Sequence, residues 1–190
     1  MKKLIPLLVL LNISACSGVV YTVDSPHYMM PVGSQLRIKQ NITIPENRAT
    51  VYLQNGKIVT MSKLNQYHPH CWFESWQKLE QSQLIKPDIF NINAVLQYDE
   101  VVLREGRLLL ASNSMARLYG RGGPAFSQYI NEYRISSAKQ PDIRKLYCGQ
   151  WDDVSGGDHP TLAEMNKALG EYAELIPKTT QPVTPGKIGS

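Results

Sequence analysis

The chain has 190 residues, 43% of them hydrophobic and 19% charged, which suits one domain with a substantial core. Its 20 Lys and Arg against 16 Asp and Glu leave a formal charge of +4 at pH 7. That is too weak to argue for nucleic acid, whose binders gather basic residues on one face.

Lys2 and Lys3 are followed by an apolar run, Leu4 to Leu11. A short positive start, an apolar stretch and small residues before a cut site make a secretory signal. A membrane-spanning helix would need about 20 mostly apolar residues. Leu4 to Ile13 falls short of that, and Pro6 and Asn12 interrupt it. Residues 1–15 are therefore expected to be removed on export. The closing residues, Ile13-Ser14-Ala15-Cys16, resemble the lipobox of bacterial lipoproteins: an aliphatic residue, two small ones, then Cys. The resemblance implies cleavage before Cys16, a diacylglycerol on its thiol and often an acylated amine. It also implies the cell outer membrane, facing the periplasm, because Ser17 is not the aspartate that retains lipoproteins at the inner membrane. An ordinary signal with an incidental Cys16 is the alternative. Each buried methylene contributes about 0.8 kcal/mol, so the two or three chains of a lipidated Cys16 would make a stable anchor.

Loss of Lys2 and Lys3 lowers the formal charge from +4 to +2. With Cys16 lipidated, Cys71 and Cys148 remain of the three cysteines. In an oxidising periplasm a Cys71–Cys148 disulfide is the default. Closing a loop of about eighty residues would contribute roughly 4 kcal/mol in the chain-entropy picture. Two separate buried thiols are the alternative, since sequence carries no distances.

Residues 16–34 comprise the lipidated Cys and a tether, marked by Ser25-Pro26, Met30-Pro31 and Gly33 and expected to lift the domain off the lipid surface. Leu36, Ile38, Gln40, Ile42 and Ile44 then alternate with polar residues, predicting one strand. Ala49–Leu53 and Lys57–Met61 flank Asn55-Gly56, the preferred pair for a two-residue hairpin turn. His70–Trp76 predicts a strand with Cys71, Phe73 and Ser75 facing inward and His70, Trp72, Glu74 and Trp76 on the other side. Ile89–Leu96, Glu100–Leu103 and Arg107–Ala111 read as short strands, and 112–124 as a loop. Phe126–Ser136 is a long strand, Gln140-Pro141-Asp142 a turn, and Ile143–Cys148 the return. Thr161-Leu162-Ala163-Glu164 is a capping box, with Leu162, Met165, Leu169, Tyr172 and Ile176 at helical spacing and Pro177 as the stop. The tail, 178–190, has little to bury and is expected to be disordered. Residues 35–177 thus form a single mostly β domain, α+β at the margin. A small antiparallel sandwich or open barrel with one C-terminal helix and one disulfide is expected.

Signals for chemistry are sparse. His68-Pro69-His70-Cys71 looks like a metal site, but alternate strand residues put His70 and Cys71 on opposite faces, and an oxidised Cys71 is no ligand. Asp152, Asp153, Asp158 and His159 miss the spacing of a calcium loop, and acidic residues before a helix already suit its dipole. Arg121-Gly122-Gly123 lacks the surroundings of a phosphate loop. Gly-x-Ser-x-Gly and His-Glu-x-x-His are absent, as is Ser-x-x-Lys with its companions. No catalytic residue, metal or cofactor is assigned. Trp72, Trp76, Tyr129 and Tyr133 are candidate ligand-binding residues, because exposed aromatic rings stack on sugars; packing is the competing role for Tyr129 and Tyr133.

Four downstream stretches carry a second resemblance: Leu36-Arg37-Ile38, Val51 to Gly56, Tyr67-His68-Pro69-His70-Cys71 and Gln140 to Cys148. They resemble small uncharacterised lipoproteins of Gram-negative bacteria, which implies an envelope location and no reaction. The expected function is a lipid-anchored, non-enzymatic interaction or accessory domain at the periplasmic face of the outer membrane. Its partners would be the membrane, through Cys16, and an envelope protein or peptidoglycan, with no nucleic acid. A binding module for peptidoglycan or another envelope glycan is one alternative, and a periplasmic hydrolase with a site assembled from distant residues is another.

Overall fold

The computed structural model describes residues 21–102 and 126–179. The signal segment, Cys16, the expected strand Arg107–Ala111, the expected loop 112–124 and the tail from 180 onward lie outside the described residues.

Among the described residues, ten strands and one α-helix follow in order: β1 Gln35–Ile38, β2 Ile42–Ile44, β3 Thr50–Gln54, β4 Lys57–Val59, β5 His70–Ser75, β6 Gln83–Ile85, β7 Asp88–Val102, β8 Phe126–Ser136, β9 Ile143–Asp153, helix α1 Leu162–Leu169 and β10 Ala173–Ile176. Eight strands form one sheet in the order β10-β1-β7-β8-β9-β5-β3-β4, antiparallel throughout and curled into a half-barrel. Of the two expected architectures, the open barrel is the one realised. β2 and β6 pair separately as a small second sheet.

The hairpin β3–β4 turns through Asn55 and Gly56, both at positive φ (51° and 70°), the backbone that a two-residue primed turn demands. β8 spans the predicted residues. β9 continues five residues beyond the expected Cys148. β5 lies between β3 and β9, with Cys71 directly opposite Cys148. The two form a disulfide 77 residues apart in sequence, its Cα atoms 4.0 Å apart and both side chains fully buried.

One face of the sheet holds the core. Leu36, Phe90 and Leu175 meet in register across β1, β7 and β10, as do Leu53, Cys71 and Cys148 across β3, β5 and β9. Met165, Ala168 and Leu169 of α1 and Ile42, Ile44 and Ile85 of the small sheet join that core.

Four expectations change. The alternation over Leu36–Ile44 belongs to two strands, not one. Lys39 and Gln40 both donate from their backbone N–H to the Tyr172 carbonyl, which diverts the chain from the large sheet to β6. Ile89–Leu96 and Glu100–Val102 are one fifteen-residue strand, β7, with a bulge between Ile92 and Ala94. The bulge exchanges the odd and even faces, so Phe90 and Ile92 share the core side with Val95, and a period-two reading sees a break. The helix stops at Leu169 instead of reaching Ile176: Gly170 takes φ 59°, ψ −130°, and Ala173–Ile176 pairs with β1. Finally, residues 21–34 are not a free tether. Met30 and Ser34 are buried, the Gly33 N–H donates to Ile92 O, and Gln97 reaches Pro26 O.

The capping box forms as expected. Thr161 Oγ1 accepts from the Glu164 N–H, and the Thr161 N–H donates to Glu164 Oε2, which satisfies two donors of the helix start.

Candidate binding groove

The sheet's second face carries the complementary residues of β3, β5, β8 and β9. Register places Tyr52, Trp72, Tyr147 and Glu132 in one row across four strands. Trp72 and Tyr147 stack with ring centroids 4.9 Å apart and planes 11° apart. His70 stacks on Trp72 at 5.6 Å, and Tyr52 lies at 6.1 Å on the other flanking strand. His70 itself is buried, and its Nδ1–H donates to the His68 carbonyl at 2.9 Å. Burial holds the imidazole below its ordinary pKa, against the opposing pull of that bond.

The row ends in a charge cluster. Lys145 Nζ sits 2.9 Å from Glu132 Oε1 and donates to the Tyr147 hydroxyl at 2.9 Å, while Arg134 Nε approaches Glu132 Oε1 at 3.2 Å. Burial alone would raise the Glu132 pKa; bonds from Lys145 and Arg134 outweigh it and hold the carboxyl below its usual range. Burial and the Glu132 charge push the Tyr98 phenol well above its ordinary range.

Beside the stack lies a groove of about 430 Å³. Tyr52, Trp72, Gln128 and Trp151 form its sheet wall, and Met61, Leu64 and Gln66 form the other. That second wall is the segment after β4, held down by Gln54: its amide donates to Asn65 O and His68 O and accepts from the Asn65 N–H. The Trp151 N–H donates to Gln66 O, and the Tyr67 ring meets Trp151 and Phe126 edge-on. Among the described residues, no Asp, Glu, Lys or Arg lines the groove. Such walls suit an uncharged ligand surface held by ring contact and amide hydrogen bonds.

The four predicted ligand-binding residues are not brought together. Trp72 lines the groove, but Tyr147 already covers one face of its indole. Trp76 lies beyond the end of β5, 63% exposed, with the Arg144 guanidinium 4.8 Å from its ring centroid and Arg144 paired to Glu74. Tyr129 and Tyr133 are on the opposite face and buried, so the expectation that they are open to a sugar does not hold for either. The Tyr129 hydroxyl donates to Asp153 O, and that of Tyr133 to Met165 Sδ. His68 and His70 do not share a site with Cys71, which faces the core. Among the described residues, no three His, Cys, Asp or Glu side chains converge as a metal site. Tyr52, Gln66, Gln128 and Trp151 were not expected at a site. Extending Ile143–Cys148 to Trp151 would have placed Tyr147 and Trp151 on the face of Trp72.

No helix among the described residues is long and apolar enough to cross a membrane. The chain matches no protein-family model, no curated protein and no solved structure.

Proposed function

We propose that this chain is a lipid-anchored envelope protein acting as a non-enzymatic interaction or accessory domain at the periplasmic face of the outer membrane. The anchor reading rests on Ile13-Ser14-Ala15-Cys16. The binding reading is carried by one observation: an aromatic-lined groove, free of charged side chains among the described residues, on the sheet face that the core does not use. Its imidazole, His70, is buried and committed to a backbone carbonyl, an arrangement suited to holding a surface rather than moving a proton. A photocrosslinking residue at Gln128 should capture a discrete envelope partner in living cells, and Trp151→Ala should abolish the adduct. Equal capture from a probe at Leu84, in the small sheet, would defeat the groove assignment.

A second reading, binding of peptidoglycan or another envelope glycan, is favoured by Trp151 standing in the same groove as Gln66 and Gln128. An indole covers the C–H face of a sugar, and side-chain amides bond its hydroxyls. Isolated sacculi should then retain the protein and release the Gln128→Ala variant. Absence of retention disposes of this reading.

A further inference from the structure

The docking of residues 21–34 onto the domain has a geometric consequence for where the domain sits. Only four residues, Ser17 to Val20, lie between Cys16 and Tyr21, so five Cα–Cα steps span at most about 18 Å. From Tyr21 onward the chain is folded. Its turns are closed by bonds from Ser25 N–H to Thr22 O and from Tyr28 N–H to Ser25 O, and Tyr28 packs against the core with Met30 buried beside it. Four of the side chains on this segment that do not turn inward are apolar: Tyr21, Val23, Met29 and Val32 are 46%, 45%, 50% and 59% exposed, interspersed with the exposed polar Thr22, Asp24 and His27. The exposed Lys178 lies alongside Gly33 and supplies a positive charge next to Val32.

We infer that this segment is a membrane-docking surface, and that its occupant is the lipid bilayer in which the Cys16 lipid is embedded. The inference rests on the reading of Cys16 as lipidated. An anchor on so short a lead confines Tyr21 to the neighbourhood of the headgroups. There, an amphipathic ring and aliphatic side chains partition favourably into the boundary between headgroups and acyl chains. Lys178 would meet lipid phosphates, since a basic side chain near an anionic surface is attracted to it. The domain therefore lies against the membrane instead of swinging above it, and its orientation is set by the strand edge that Gly33 and Ile92 join.

The test uses the full-length, processed protein in vesicles of phosphatidylethanolamine and phosphatidylglycerol, with a nitroxide on Val32→Cys and, for comparison, on Ile58→Cys of β4. Both positions are exposed, and an intact Cys71–Cys148 bridge by mass mapping certifies the fold of each variant. The expected result is a several-fold higher ratio of oxygen to nickel-chelate collisions at position 32 than at position 58. Equal, water-like ratios in protein that carries palmitate and floats with the vesicles would overturn membrane docking and leave the anchor standing. Protein that neither carries palmitate nor floats would overturn the anchor reading and this inference with it.

Discussion

Gly56 and Gly170 meet backbone to backbone: a Cβ on Gly170 would stand 2.3 Å from the Gly56 Cα. The Gly56 N–H also donates to Ala168 O at 3.0 Å, so the β3–β4 turn satisfies a carbonyl at the end of α1. Gly170→Ala therefore imposes both a side chain at φ 59°, ψ −130° and a clash with main chain that has no side-chain freedom to yield. Such strain costs about 1–3 kcal/mol, and overpacking a similar amount. Chemical denaturation should show a loss of at least about 2 kcal/mol for Gly170→Ala. Gly56→Ala, whose Cβ would meet Gly170 Cα at 3.3 Å, should lose less.

The disulfide joins neighbouring strands at the centre of the core, with both cysteines fully buried. Replacing both with Ala should cost roughly 4 kcal/mol through the lost constraint on the unfolded chain. Because solvent does not reach the sulfurs, dithiothreitol should leave the bond intact in the native state and reduce it only with denaturant. Thiol trapping with mass mapping distinguishes the two, and free thiols at Cys71 and Cys148 in native protein would refute the bridge.

Where local chemistry decides structure, the residues announce it. Asn55-Gly56 can make only a few turns, Thr161 with Glu164 caps a helix, and Phe126–Ser136 has nothing to compete with strand. The failures come from long-range effects. Leu162 to Ile176 keeps a helical spacing, but the free edge of β1 is available to Ala173–Ile176 and Gly170 breaks the path toward it. The bulge at β7 hides a continuous strand by exchanging its faces. The groove was only partly legible. Trp72 was identified by the parity of its own strand, but Tyr52, Gln128 and Trp151 reach it through register across β3, β8 and β9, which single-strand periodicity does not encode.

His70 gives the domain a pH dependence of defined sign. Its folded-state pKa lies below the ordinary 6.5 because burial disfavours the imidazolium. The unfolded chain therefore takes up the proton first as pH falls, so stability is fully present above about pH 6.5 and declines below it until the folded-state pKa is passed. His159 is shifted in the same direction, again chiefly by burial, and adds to the slope. Urea midpoints at pH 7.5 and 5.5 should differ less in His70→Phe, which keeps a ring against Trp72, than in the wild type. An unchanged difference would remove His70 from the account.

Trp72 and Trp76 share a strand parity but should respond differently to truncation. Trp72 is packed against Tyr147, His70 and Tyr52, and loss of such an aromatic costs about 3 kcal/mol. Trp76 is mostly exposed, and its contact with Arg144 is the kind that contributes about 0.5–1 kcal/mol at a surface. Trp72→Ala should therefore lower the denaturation midpoint markedly, while Trp76→Ala leaves it close to wild type. If the groove binds as proposed, a destabilised Trp72 variant cannot report on binding, and Trp151 and Gln128 are the informative positions.

In the proposed reading, Cys16 is the position on which location depends. If the Ile13-Ser14-Ala15-Cys16 signal operates, labelled palmitate should enter the wild type, and Cys16→Ser should abolish incorporation and leave an unprocessed or mislocalised chain. The two effects have one origin: in the lipoproteins this segment resembles, one Cys both carries the diacylglycerol and marks the cut site, so replacing it removes both. A wild type that is exported and cleaved without palmitate would make Cys16 an incidental residue of an ordinary signal. The precursor would then supply three cysteines to the periplasm instead of two, and the buried Cys71–Cys148 pair would leave Cys16 as a free thiol open to alkylation. Alkylation of exported native protein thus separates the readings in one measurement, with no label at Cys16 expected for the lipidated form.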